Sequence, residues 1–294
     1  MRNHTMRNDS QVTQTDSIPF ISMVPFLLIT FLISWSILAL FILLPEPMGR
    51  LFGQLSGSHP LFFLAVWAPG IAAFIIISFK SGFRGLRRYL SRVLRWRTSY
   101  IWYLFLLVGI PLVFYAGSAW KGTLFSDPFP VTSLRALLPA LLLGIIKGPV
   151  EEFGWRGFAL PLMQRKFAPF WSGLVLGMMW GFWHLLAFMA SGTQQSAWSF
   201  LPFFIGTITI SLIMTALFND SKGSILLPAL MHFQLMNPIW PEAQPYDTYL
   251  LTFITVIVVW GHRKTMFSKS GGITEIVPRT ECRIIADKDS SVSL

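Results

Sequence analysis

Six ionisable side chains lie in stretches of this 294-residue sequence that otherwise carry almost no charge. They are Lys147, Glu151, Glu152 and Arg156 around GPVEEFGWRG (148–157), His184 in WGFWHLLAF (180–188) and His232 in LPALMHFQLMN (227–237). An ionisable group at membrane depth costs a few kcal/mol, so such residues tend to face a bundle interior and to have a role. Gly148–Pro149 interrupts a helix, and Pro149 suits the first position of a new one. Glu151 and Glu152 then fall in the first turn, where the backbone dipole favours negative charge. Arg156 follows Glu152 by four residues and shares its face. Glu151 is turned about 100° away. This spacing predicts a positioning pair, Glu152–Arg156, and a reactive carboxylate, Glu151.

Two chemistries suit a carboxylate with two imidazoles. Glu151, His184 and His232 are ordinary zinc ligands, and three such ligands leave a position for water. Without metal, Glu151 acts as general base with His184, while His232 and a neighbouring amide stabilise an oxyanion. Both routes hydrolyse a peptide bond. Helical rise puts Glu151 and His184 roughly 21 Å, and His232 roughly 15 Å, from the boundary marked by basic residues.

The elements that must hold these residues are apolar. Hydrophobic residues make up 53% and charged residues 12%, with mean hydropathy +0.59. That is about half the charge of a soluble domain. Eight low-charge segments are expected as helices: 24–44, 61–79, 100–120, 134–146, 170–190, 199–218, 224–240 and 246–261. The fold class is all-α, a polytopic membrane helical bundle of about eight transmembrane helices without evident internal repeat. The membrane domain is expected over 19–264, with its catalytic core at 134–240. Polar tails at 1–18 and 265–294 are expected to be disordered and cytoplasmic. The segment 24–44 is too long for a signal-peptide core and is read as a retained helix. A single cysteine, Cys282, excludes an intrachain disulfide.

The net charge of +10 does not point to nucleic acid, because of where it lies. The segment 80–97 holds seven basic residues and no acidic one. Between two apolar segments it marks the cytoplasmic side. Arg165, Lys166, Lys222, Arg263, Lys264 and Lys269 then fall on that side, leaving Arg50, Lys121 and Arg135 opposite. Leu86, Leu90, Val93 and Leu94 share one face of 81–97 with arginines opposite, an expected interfacial helix on anionic lipid.

EEFGWR (151–156) resembles the EExxxR motif of the CPBP family, the CAAX-protease and bacteriocin-processing membrane proteins. WGFWHLLAF is similar to that family's second motif, with Trp180 where the usual aromatic is Phe. LPALMHFQLMN is similar to the third, although Met236 stands four residues after His232 and Asn237 one later. The resemblance covers 134–240. It implies an intramembrane endopeptidase, similar to the type II CAAX prenyl endopeptidase, in which Glu151 and His184 activate water. His232 and Asn237 would line the oxyanion side. It leaves zinc and metal-free chemistry open.

The implied partners are a membrane-associated peptide, prenylated CAAX-type or leader, and the lipid bilayer. The implied location is a prokaryotic plasma membrane. HExxH, GxGD and G-x-S signatures are absent. Two other classes compete. A non-catalytic scaffold or bacteriocin-immunity protein would fit the displaced Asn237. A proton-coupled transporter would fit midplane Glu, His and Lys, but not the paired glutamates with an i+4 arginine.

Overall fold

The computed structural model describes residues 18–126 and 133–279. Residues 1–17 and 280–294, which include Cys282 and most of the expected tails, lie outside the described residues. Every regular element among the described residues is helical. In chain order they are α1 (Met23–Leu43), α2 (Pro45–Phe52), α3 (Pro60–Leu90), α4 (Tyr100–Leu104), α5 (Ile110–Lys121), α6 (Leu134–Ile146) and α7 (Gly148–Gly154). Then come α8 (Leu160–Gln164), α9 (Pro169–Trp183), α10 (Leu185–Met189), α11 (Phe200–Asp220), α12 (Leu226–Leu235), α13 (Tyr246–Gly261) and α14 (Arg263–Met266). One π-turn, Phe105–Gly109, joins α4 to α5, and another, Trp155–Ala159, joins α7 to α8.

Each of the eight expected segments contains helix, although 224–240 is helical only over Leu226–Leu235, and they are not equivalent. Five helical stretches among the described residues are long and apolar enough to cross a bilayer: Phe20–Leu43, Pro60–Leu94, Tyr100–Lys121, Pro169–Met189 and Phe200–Asp220. α6, α12 and α13 have 13, 10 and 16 residues. At 1.5 Å per residue, 10 to 13 residues cover about half to two thirds of a hydrocarbon core. Two of the shorter helices, α6 and α12, end beside the glutamate motif, which starts within the bundle rather than at its surface.

α11 is the central helix. It packs on α9 through a stripe of small residues, Gly173, Gly177 and Gly181, which face Thr207, Ser211 and Thr215. A side chain at any of the three glycines would collide with α11. Close backbone approach without bulky side chains is how helices associate where lipid removes the hydrophobic drive. Ser211 Oγ donates to the Gly173 carbonyl at 2.8 Å, which fixes the register. That register places His184, three residues past Gly181, against Phe203 of α11, with ring centroids 5.0 Å apart.

The basic segment departs from the expected interfacial helix. α3 runs through it to Leu90 with a break at Gly82, whose φ of 63° suits glycine, and a short 3-10 turn follows. Leu90 and Leu94 are exposed, whereas Tyr89 and Arg92 are fully buried. Arg92 donates from Nε to the Gly223 carbonyl (2.8 Å) and from Nη1 to those of Gly157 (2.7 Å) and Ile276 (3.0 Å). Leu86 and Val93 do pack against the core, so half of the expected apolar face is turned inward, and a buried arginine bonded to backbone completes it.

Residues 265–279, expected in the C-terminal tail, pack back onto this end. Ile276 and Val277 enter the core. Gln164 Nε2 donates to the Ile273 carbonyl at 2.8 Å, and Arg165 Nε to that of Thr274 at 3.1 Å. Arg95 reaches the Lys222 carbonyl at 2.6 Å. Thus Arg92, Arg95, Arg165 and Lys222 gather at one end of the bundle. The opposite end carries the Lys147–Gly57 and Lys121–Glu242 contacts.

Candidate active site

Pro149 lies in the first turn of α7, as the sequence predicts, with Lys147 as the N-cap residue. Lys147 Nζ donates to the Gly57 carbonyl at 3.1 Å, and the Trp67 indole donates to the Ile146 carbonyl at 2.6 Å. These two bonds tie the α6–α7 break to the start of α3. Gly148 meets the third motif: a Cβ there would strike the His232 imidazole and the Met236 sulfur. Glycine is what lets the two motif helices touch.

Glu151, Glu152 and Arg156 are buried, the last two completely. Arg156 Nη1 donates to Glu152 Oε1 at 3.1 Å and stands 3.1 Å from Oε2. The guanidinium lies 4.4 Å from the Trp180 ring centroid. The expected positioning pair therefore forms, and it has a third member. His232 Nδ1 donates to the same Glu152 Oε1 at 2.6 Å. Arg156, Glu152 and His232 make a continuous chain, with His232 Nε2 at its free end.

Glu151 points elsewhere. Its Oε2 accepts from the Trp180 indole at 2.8 Å. Nδ1 of His184 donates to the Trp180 carbonyl at 2.8 Å, which leaves Nε2 as an acceptor. The His184 ring is wedged between Trp183 (4.7 Å) and Phe203 (5.0 Å). Trp183 is pinned in turn: its indole donates to Ser34 Oγ of α1 at 2.9 Å.

A cavity of 490 Å³ gathers Glu151, His184, His232 and Asn237 on one surface. Apolar walls come from α1, α3, α6 and α11, and polar residues such as Gln194 and Glu242 stand at its exposed end. That end is the one remote from the basic cluster. Asn237 differs from the helical picture. α12 stops at Leu235, so Asn237 lies beyond the helix and not on a shifted helical face. Its Nδ2 donates to Gln234 Oε1 at 2.9 Å, and its Oδ1 accepts from the Ile239 amide at 3.2 Å.

Glu151, His184 and His232 share the cavity without converging as ligands. Among the described residues no three of His, Cys, Asp or Glu form a metal-holding group. Glu151 Oε1, His184 Nε2 and His232 Nε2 each remain free to ligate. As placed, they are not grouped closely enough to form a zinc shell.

Two features escape sequence reasoning. The Glu152–His232 bond joins residues 80 positions apart and has no local signal. Ser34 is a buried hydroxyl in an apolar helix, a polar exception that could have been noticed.

Comparison with known proteins agrees with the motifs. Residues 133–236 match the family model described as type II CAAX prenyl endopeptidase Rce1-like. The chain is 28% identical over 145 residues to CAAX prenyl protease 2 of Methanococcus maripaludis, covering 46% of this chain and 54% of that protein. It is 26% identical over 183 residues to lysostaphin resistance protein A of Staphylococcus haemolyticus, covering 58% of this chain and 46% of that protein. The chain thus spans about half the length of the curated relatives it matches. The matched region contains the paired glutamates, the arginine and both histidines. Over residues 133–236 this integral membrane protein is thus similar to the Rce1-like type II CAAX prenyl endopeptidases, as its three motifs imply.

Proposed function

We propose that this protein is an intramembrane endopeptidase that hydrolyses a peptide bond in a membrane-associated substrate by glutamate-activated water. The observation that carries the reading is the cavity, inside the apolar bundle, that Glu151, His184, His232 and Asn237 all line. A water between Glu151 Oε1 and His184 Nε2 loses its proton to Glu151 as it attacks the scissile carbonyl. In its protonated form His232 offers Nε2–H to the developing oxyanion, and the Arg156–Glu152 pair holds the ring in place. Asn237 adds the second hydrogen of its Nδ2 on the same wall. The proton on Glu151 then passes to the leaving amine. The basic end faces the cytoplasm of a prokaryotic plasma membrane, and the polar mouth at Gln194 and Glu242 supplies water.

The similarity to a protein named CAAX prenyl protease 2 favours a prenylated C-terminal peptide as substrate. The test is cleavage of a farnesylated Cys-aliphatic-aliphatic-X peptide by the purified protein in lipid nanodiscs, with and without chelator. Cleavage that survives chelation supports the reading; loss of all cleavage on chelation, restored by zinc, would replace it with metal catalysis.

One observation favours a second reading. Both polar atoms of Asn237 bond within its own turn. A non-catalytic membrane role, such as immunity or scaffolding, follows if no peptide is cut.

A further inference from the structure

We propose that Trp180 is a positioning residue of the reaction: its indole fixes the Glu151 carboxylate while its backbone carbonyl fixes the His184 ring. One residue would thereby set both members of the water-activating pair. The inference rests on the reading of Glu151 and His184 given above.

Three parts of Trp180 do three things. The ring edge donates Nε1–H to Glu151 Oε2 at 2.8 Å, and no other side chain among the described residues hydrogen-bonds that carboxylate. The ring face lies 4.4 Å from the Arg156 guanidinium, whose Nε and Nη2 are buried without hydrogen-bond partners. The backbone carbonyl accepts from His184 Nδ1, which selects the tautomer with Nε2 open to the cavity. The same ring packs at 5.4 Å from His232. Trp180 is itself held rigidly: it is buried, and Gly177 and Gly181 on either side press α9 against α11.

Bulk alone does not account for this arrangement. Phenylalanine would fill most of the volume, keep a face for Arg156 and leave the carbonyl untouched. It cannot donate a hydrogen bond. Without the indole N–H, Glu151 stays buried but gains rotamer freedom, and its two oxygens no longer have distinct tasks. A general base that wanders by an ångström loses the near-attack geometry on which its rate depends.

Trp180→Phe isolates the donor. Loss of near-attack geometry should lower kcat roughly tenfold to a hundredfold with KM nearly unchanged, and the thermal midpoint should fall only by the amount of one lost hydrogen bond. In a Glu151→Asp background the shorter carboxylate no longer reaches the indole, so adding Trp180→Phe should cost almost nothing further. An unchanged kcat in Trp180→Phe overturns the proposal. So does an equal fold-loss in both backgrounds, because that marks general disturbance of the fold. An activity-free readout separates this inference from the peptidase reading. The carboxylate band assigned by wild-type minus Glu151→Gln infrared difference should move in Trp180→Phe, even if no peptide is ever cut. A band that stays in place refutes the contact itself.

Discussion

Arg92 and Arg156 are both fully buried in an apolar bundle, and they are accommodated in opposite ways. Arg92 spends three hydrogen bonds on carbonyls of Gly157, Gly223 and Ile276, which belong to three separate segments. Among the described residues it has no buried carboxylate partner, and it acts as a staple for the basic end. Arg156 makes one side-chain hydrogen bond, to Glu152, and rests on the Trp180 face. Its Nε and Nη2 find no partner. Arg92 leaves one group, Nη2, without a hydrogen-bond partner, whereas Arg156 leaves two. The first is held by backbone carbonyls, and the second sits on a carboxylate that also holds a histidine. On the reading proposed above, the difference separates stability from reaction within one class of residue.

The sharpest way to test that separation starts on the chemical side. Glu151→Gln keeps shape and removes the base, so kcat should fall by about 10²–10⁴ while the thermal midpoint in detergent stays within a few degrees. Arg92→Met should do the reverse. Three buried carbonyls lose their donor at about 1–3 kcal/mol each, so the midpoint drops steeply while the remaining folded protein keeps its turnover. Arg156→Met lies between. Glu152 keeps His232 as a partner, so the stability loss should be smaller than the ~3–5 kcal/mol of a fully broken buried pair. Turnover should fall about tenfold because the His232 ring loosens. If Arg92→Met lowered turnover per folded molecule as much as Arg156→Met does, the division would collapse.

The smallest effect lies at the basic end and depends on pH. His262, just past α13, donates from Nε2 to Asp220 Oδ2 at 2.9 Å, joining α13 to α11. The Asp220 hydrogen bond raises the His262 pKa above the usual imidazole value, against a smaller opposing effect of burial. A raised histidine pKa stabilises the folded state fully below about pH 6.5, and the benefit fades as pH climbs through the raised value. The midpoint difference between wild type and His262→Gln should therefore shrink between pH 6 and pH 9. A difference independent of pH would assign the contact to neutral hydrogen bonding.

Much of this molecule is legible from sequence because its signals are local. Each of the eight apolar segments contains helix, Pro149 lies in the first turn of one, and Glu152–Arg156 pairs at i,i+4, since each depends on neighbours within a turn or two. What stayed hidden depends on distant partners. A basic run such as 80–97 reads as solvated, and nothing nearby says that Arg92 will find carbonyls 65, 131 and 184 residues away. Ile276 and Val277 look like stray apolar residues in a polar tail until their pocket exists. His232 was legible as a candidate site residue that lines the cavity, but its attachment to Glu152 instead of a place beside Glu151 is set by how α12 meets α7. Helical phase also misdescribes Asn237, because the helix has already ended at Leu235.

The central claim is that Glu151, and not Glu152, is the reacting carboxylate. Single-turnover cleavage of a farnesylated Cys-aliphatic-aliphatic-X peptide in nanodiscs, comparing wild type with Glu151→Gln at matched folded fraction, tests it directly. The account predicts a product burst from wild type and none from Glu151→Gln. Full single-turnover cleavage by Glu151→Gln would contradict it.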